Sequence, residues 1–165
     1  MKRILVALAI VLAPAPAFAD ITAFLGVNPT PLTRPVRGFA VGMGLLIVGF
    51  EFEYSNTSDE LADNPLEGPA PRLRTYMGNG LVQTPIPIAG MQFYATAGGG
   101  GYQESFEREF ERVSETNVGW NVGGGVKMTL AGPLRLRLDY RVFTLKGSPV
   151  HERPQRFYAG LNLKF

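Results

Sequence analysis

The chain carries one histidine, His151, followed directly by Glu152 and preceded three positions earlier by Ser148. A hydroxyl, an imidazole and a carboxylate are the parts of a hydrolytic nucleophile, in which the imidazole takes the hydroxyl proton and the acid orients the ring. Their setting argues against that chemistry. Pro149 and Pro154 bracket the run and give it the composition of an exposed turn, where a lone histidine is ordinarily solvated. The chain is therefore read as non-catalytic. Asp59, Glu60, Asp63 and Glu67 form an acidic cluster, but they lack the spacing and the terminal glutamate of a calcium loop, so no metal site is assigned. Gly98–Gly101 and Gly123–Gly125 resemble phosphate-cradling runs. Gly125-Val126-Lys127-Met128 lacks the Lys-Ser/Thr pair that opens a nucleotide-binding helix, which excludes nucleotide binding and leaves no cofactor implied.

The remaining chemistry is ionic, and it alternates. Arg135, Arg137, Asp139 and Arg141 interleave with Leu134, Leu136, Leu138, Tyr140 and Val142. Glu51 and Glu53 interleave with Phe50, Phe52 and Tyr54. Side chains of a strand point alternately to opposite faces, so each segment has one charged and one oily face. Facing charges of this kind serve either as a path for ions or as a plug of mutually satisfied groups. A symmetric fold about residues 62 and 63 places Arg74 opposite Glu51 and Arg72 opposite Glu53. Lys127 joins the same expected network.

These faces need strands to hold them. Period-two segments occupy 21–27, 36–44, 46–55, 71–83, 89–102, 117–130, 133–146 and 154–165, an even count of eight. The intervening segments alternate between long (28–35, 56–70, 103–116, 146–153) and short (44–45, 85–87, 131–132), as the external loops and internal turns of membrane barrels do. Most strands reach the roughly 9–11 residues that a tilted membrane strand requires. The fold class expected is an all-β, eight-stranded antiparallel up-and-down transmembrane barrel. An arginine facing lipid at mid-depth costs about 2–4 kcal/mol, so the charged faces must point inward. An interior of eight strands is just wide enough for side chains, which favours a plug over a conducting path. A hairpin folded about residues 111 and 112 sets the two glycine runs side by side as a thin patch of wall. The segment 105–114 fits an extended hairpin or a helical turn equally well.

Lys2 and Arg3 precede an apolar run and Ala17-Phe18-Ala19, the three parts of a secretory signal peptide. The expected organisation is a signal peptide over 1–19, cleaved after Ala19, and a barrel domain over 20–165. The leader holds two of the 16 basic residues and none of the 14 acidic ones, leaving 14 of each in the remainder. Bulk charge gives no support to nucleic-acid binding. The chain has no cysteine, so disulfides are excluded.

The last strand alternates to its end: Phe157, Ala159, Leu161, Leu163 and Phe165 on one face, Tyr158, Gly160, Asn162 and Lys164 on the other. With the leader, the eight alternating strands and the glycine-rich hairpins, this resembles the small outer-membrane β-barrels of OmpA and OmpX type, a porin-like family. The resemblance implies a Gram-negative-type outer membrane, contact with its lipids, and insertion by the barrel-assembly machinery. In that family the alternating last strand is the assembly signal, matched here by Tyr158, Leu161, Leu163 and Phe165. It does not imply one activity, because such barrels include structural proteins, adhesins, narrow pores and lipid-modifying enzymes. The lipid A deacylase branch uses a Ser-His-acid site with a His-x-Ser order, which Ser148-Pro149-Val150-His151 does not match. The leading expectation is a non-catalytic barrel with a charged, filled lumen and external loops for structural or binding roles. The alternatives are a narrow channel for ions or small solutes and, behind it, a lipid hydrolase using Ser148, His151 and Glu152. No ligand, solute or oligomeric state is legible.

Overall fold

Alternation at period two carries most of the described residues into extended structure. The computed structural model describes residues 17–30, 32–59, 70–108 and 111–165, with side chains for these except 17, 106–108 and 111–114. It holds eight strands: β1 (Ala17–Asn28), β2 (Arg34–Leu45), β3 (Val48–Thr57), β4 (Arg72–Gln83), β5 (Met91–Arg108), β6 (Glu111–Ala131), β7 (Leu134–Leu145) and β8 (Gln155–Lys164). Each pairs antiparallel with the next, and β8 pairs with β1 to close a barrel. Ala19 and Phe165 exchange two backbone hydrogen bonds of 2.9 Å, so the last residue is tied into the seam. Most of the expected leader lies outside the described residues, as do Glu60, Asp63 and Glu67 of the acidic loop.

The register has a definite shear. Following cross-strand partners from Arg135 leads through Asn162, Thr22, Ala40, Glu53, Met77, Gly100 and Gly119 to Leu145, ten residues further along β7. Such a stagger is what tilts the strands against the barrel axis. At the end that carries Phe165 the connections are brief. Leu46-Ile47 joins β2 to β3, and Ala89 and Gly90 both take positive φ (51° and 78°) in the turn before β5, as a tight hairpin turn requires.

The far end departs from expectation at one place. Residues 103–108 and 111–116, expected within a long connection, are strand, which is the extended one of the two readings open for 105–114. β5 and β6 continue as a paired ladder to Arg108 and Glu111. The six residues from Gln103 to Arg108 extend about 20 Å at strand rise. The same ladder corrects the glycine register: Gly98 faces Asn121 and Gly125 faces Tyr94, so the two runs are offset rather than side by side.

The glycines instead make room beside bulky interior neighbours. A Cβ on Gly125 would lie 2.5 Å from the Tyr94 hydroxyl, one on Gly38 2.5 Å from the Phe24 ring, and one on Gly26 2.6 Å from the Tyr158 Cβ. Large and small residues thus pair across neighbouring strands inside a narrow tube.

The two surfaces are inverted relative to a water-soluble domain. Leu25, Met43, Phe50 and Val122 face outward with 61–70% of their surface exposed. Arg137, Arg141, Glu53 and Asp139 lie inside with at most 1% exposed. Apolar wall outside and charge within is the arrangement of a barrel that spans lipid.

Candidate functional site

The lumen is stratified, and the strands position each layer. At the Phe165 end a vestibule of about 260 Å³ is lined in part by Gln92, Lys127, Arg135 and Lys164. Above it Asp20 of β1 binds two cations: Lys127 donates at 2.6 Å and Arg135 at 3.2 Å. Arg135 is held further by Asn162 (2.7 Å) and Gln92 (3.2 Å), and Asn162 donates to Thr22 (2.9 Å). A void of only about 20 Å³ separates this layer from the next, too small for a water file.

The middle layer closes the tube. Arg137 on β7 grips Glu51 on β3 through both terminal nitrogens, with Nη2 to Oε1 at 3.2 Å, and reaches Asp139 at 3.1 Å. Arg141 donates to the same Glu51 oxygen at 2.9 Å and takes Asp139 in two contacts of 2.9 and 3.1 Å. Its Nη1 lies 3.1 Å from Glu53 Oε2, a close charge contact without hydrogen-bond alignment. Arg156 on β8 completes the set, donating to Glu53 and to the Ser55 hydroxyl (2.6 Å). Three carboxylates thus meet three guanidinium groups, and the layer is neutral. Planar guanidinium forks suit this task because one group can engage more than one acid at once, as Arg137 and Arg141 do. Removing one partner from such a buried set costs about 3–5 kcal/mol, since it strands an unpaired charge.

Aromatic rings seal the gaps between these ions. Tyr94 donates its hydroxyl proton to Asp139 and accepts from Arg137 Nε at 2.7 Å, while the Arg137 guanidinium lies 4.8 Å from the Tyr94 ring centre. Tyr158 stacks on Phe24 with centroids 4.0 Å apart. Arg156 lies 4.6 Å from the Phe143 ring centre. Toward the far mouth the lining turns apolar, with Leu73, Met77, Tyr102, Phe143 and Leu145 buried together. The connection 146–154 is fastened across that mouth: Tyr102 donates to the Lys146 carbonyl (2.6 Å), and Val150 N donates to Glu104 (3.2 Å).

Two residues assigned to the lumen from sequence stand elsewhere. Arg72 and Arg74 lie on the outer face, while Leu73 and Thr75 point inward. The β3–β4 register centres on position 65, with Thr57 opposite Leu73, so Glu51 faces Asn79 and Glu53 faces Met77. Arg72 instead pairs with exposed Asp59 at 3.0 Å, whose carboxyl is held below its usual range by that hydrogen bond. Glu51, Glu53, Lys127, Arg135, Arg137, Asp139 and Arg141 all line the lumen. Of the four residues matched to the assembly signal, Leu161, Leu163 and Phe165 face outward, whereas Tyr158 is wholly buried; the outward aromatic beside it is Phe157.

Sequence reasoning missed Asp20, Tyr94 and Arg156. Counting back by twos from Asn162 reaches Arg156, so parity alone would have found it. Asp20 was hidden by its position at the expected cleavage site, and Tyr94 by a setting of small neutral residues.

Ser148 and Glu152 are exposed in the 146–154 connection. That segment is held through its backbone, where Leu145 N donates to the Glu152 carbonyl at 2.9 Å. Burial, and secondarily the Arg34 charge, hold the His151 imidazole below its ordinary value. Among the described residues no hydrogen bond joins Ser148, His151 and Glu152, and no cluster of acids and histidine has the make-up of a metal site.

A closed eight-stranded ring with an ionic interior and an apolar wall is the fold of the small outer-membrane β-barrels. The chain matches the N-terminal barrel domain of Pseudomonas aeruginosa OprF with a TM-score of 0.69 at 13% identity, covering 90% of this chain and 97% of that one. Neisserial surface protein A matches with a TM-score of 0.69 at 15% identity, covering 90% and 96%. The outer-membrane enzyme PagL matches with a TM-score of 0.52 at 11% identity, covering 87% and 98%. The fold is thus shared by catalytic and other barrels, and at these identities the likeness is one of fold. No protein-family model and no curated protein matches the sequence.

Proposed function

We propose that the protein is a non-catalytic integral barrel of a Gram-negative-type outer membrane, with a sealed lumen and external loops in structural or binding roles. The neutral middle layer carries this reading. Three acids and three arginines balance one another across the tube, leaving no net charge in that layer to select an ion, and the void beneath it holds only about 20 Å³. The chain is exported on its leader and released by cleavage after Ala19, so β1 of the mature barrel begins at Asp20 opposite Lys164 and the Ala19–Phe165 bonds belong to the uncleaved chain. The barrel-assembly machinery inserts it through the outward apolar row of β8. Its wall contacts the membrane lipids. Ser148, His151 and Glu152 act as an ordinary loop segment.

Cell fractionation combined with gel migration tests the membrane part. The protein should sediment with outer membranes and migrate faster unheated than boiled; recovery from the soluble periplasm would contradict it. Incubation of the refolded protein with acylated lipid tests the non-catalytic part. Acyl release that disappears in His151→Ala would overturn it.

A further inference from the structure

The outer wall carries a charged row that the lumen does not explain. Leu25, Arg37, Asn56, Arg74 and Gln103 are successive cross-strand partners on β1 to β5, and their inward-facing neighbours Val36, Ser55, Leu73 and Tyr102 are buried. The row therefore points away from the lumen near the far end of the barrel. One step toward the middle stands an aromatic row, Phe39, Tyr54 and Tyr76, with ring centres 5.6 and 5.1 Å apart. Aromatic rows of this kind mark the boundary between hydrocarbon and headgroups, which places Arg37 and Arg74 at headgroup depth.

Three observations separate these arginines from a generally solvated surface. Among the described residues neither Arg37 nor Arg74 has an acidic partner, whereas nearby Arg72 is paired with Asp59. Arg74 Nε and Asn56 Oδ1 are buried yet lack hydrogen-bond partners. An apolar groove of about 730 Å³ also begins at Arg37 and Asn56 and runs past Leu25, Ala23 and Ala159 to Leu136 and Leu161. Ala23 and Ala159 leave a trough between larger neighbours. Strand spacing puts the Arg37 and Arg74 backbones about 10 Å apart, so both side chains can converge on one anion.

We infer that this face holds a lipid bearing an anionic phosphate headgroup, with its phosphate between Arg37 and Arg74 and an acyl chain along the Ala23–Ala159 trough. The inference rests on the membrane reading above. The test is native mass spectrometry of the refolded full chain in a non-ionic detergent, titrated with phosphatidic acid. Wild type should retain one lipid. The double variant Arg37→Gln/Arg74→Gln should bind at least ten-fold more weakly, as should Ala159→Leu, which fills the trough without touching charge. Arg72→Gln should bind as wild type does, and millimolar inorganic phosphate should not displace the lipid. Equal weakening by Arg72→Gln, no retained lipid, or displacement by phosphate would each overturn the proposal. Heat-modifiable migration, measured on the same samples, separates the two levels. Its absence in wild type sinks the membrane reading, whereas normal migration with unchanged binding in the variants sinks the lipid site alone.

Discussion

Arg137 on β7 and Glu51 on β3 stand on facing walls of the ring, four strands apart, and both terminal guanidinium nitrogens engage the carboxylate. The contact spans the lumen rather than neighbouring strands, so it braces the barrel across its diameter. It also occupies the centre line that any permeating ion would follow.

The brace should be strongly coupled. Glu51→Ala or Arg137→Ala alone should each destabilise the barrel by about 3–5 kcal/mol, because each strands its partner. The double change should cost well under the sum of the two singles. Urea unfolding in lipid vesicles checks this, followed by fluorescence of Trp120, the sole tryptophan, which faces outward. Additive single effects would show that the two side chains act independently.

Interior glycines should be intolerant where an aromatic neighbour fills their space. Gly125→Ala would drive a methyl into the Tyr94 ring and the Leu138 carbonyl, and should destabilise by about 1–3 kcal/mol. Outward-facing Gly78 has no neighbour nearer than 3.8 Å, so Gly78→Ala should be neutral or stabilising by up to about 1 kcal/mol. Unfolding midpoints of the two variants, read in one lipid, decide the matter.

His151 gives the far mouth a pH signature. Its imidazole is held below the ordinary 6.5 by burial first and by the Arg34 charge second. The folded state therefore favours the neutral ring. The associated stability is present above the unfolded value and is lost as pH falls through the lower folded one. An NMR titration of the ring should give a midpoint under 6.5. Arg34→Gln should raise it only part of the way, because burial persists. A midpoint above 6.5 would place His151 in a different environment.

How much of this could be read from the chain depends on parity. β7 was legible because four charged residues alternate with five aliphatic or aromatic ones, so both its extent and its inward face follow from one rule. β8 is equally clear as a strand, but its pattern is dominated by the apolar row from Phe157 to Phe165, and Arg156 is the one buried cation of the opposite face. Arg72 and Arg74 went to the wrong wall for a specific reason. Symmetry about residues 62 and 63 was assumed across a long connection, and the register centres on 65 instead. An error of that size exchanges inward for outward faces. Asp20 and Tyr94 enter the lumen through contacts between strands distant in sequence, with separations of 107 and 45 residues to Lys127 and Asp139, and no local pattern encodes those. The groove behind Arg37 likewise emerges only once β8 closes on β1.

Single-channel recording tests the sealed lumen most directly. Wild-type protein, shown by heat-modifiable migration to be folded, should give no discrete conductance steps in planar bilayers. Glu53→Ala/Arg141→Ala, which removes two side chains from the middle layer while keeping it neutral, should open small steps. Discrete steps from the wild-type protein would contradict the account.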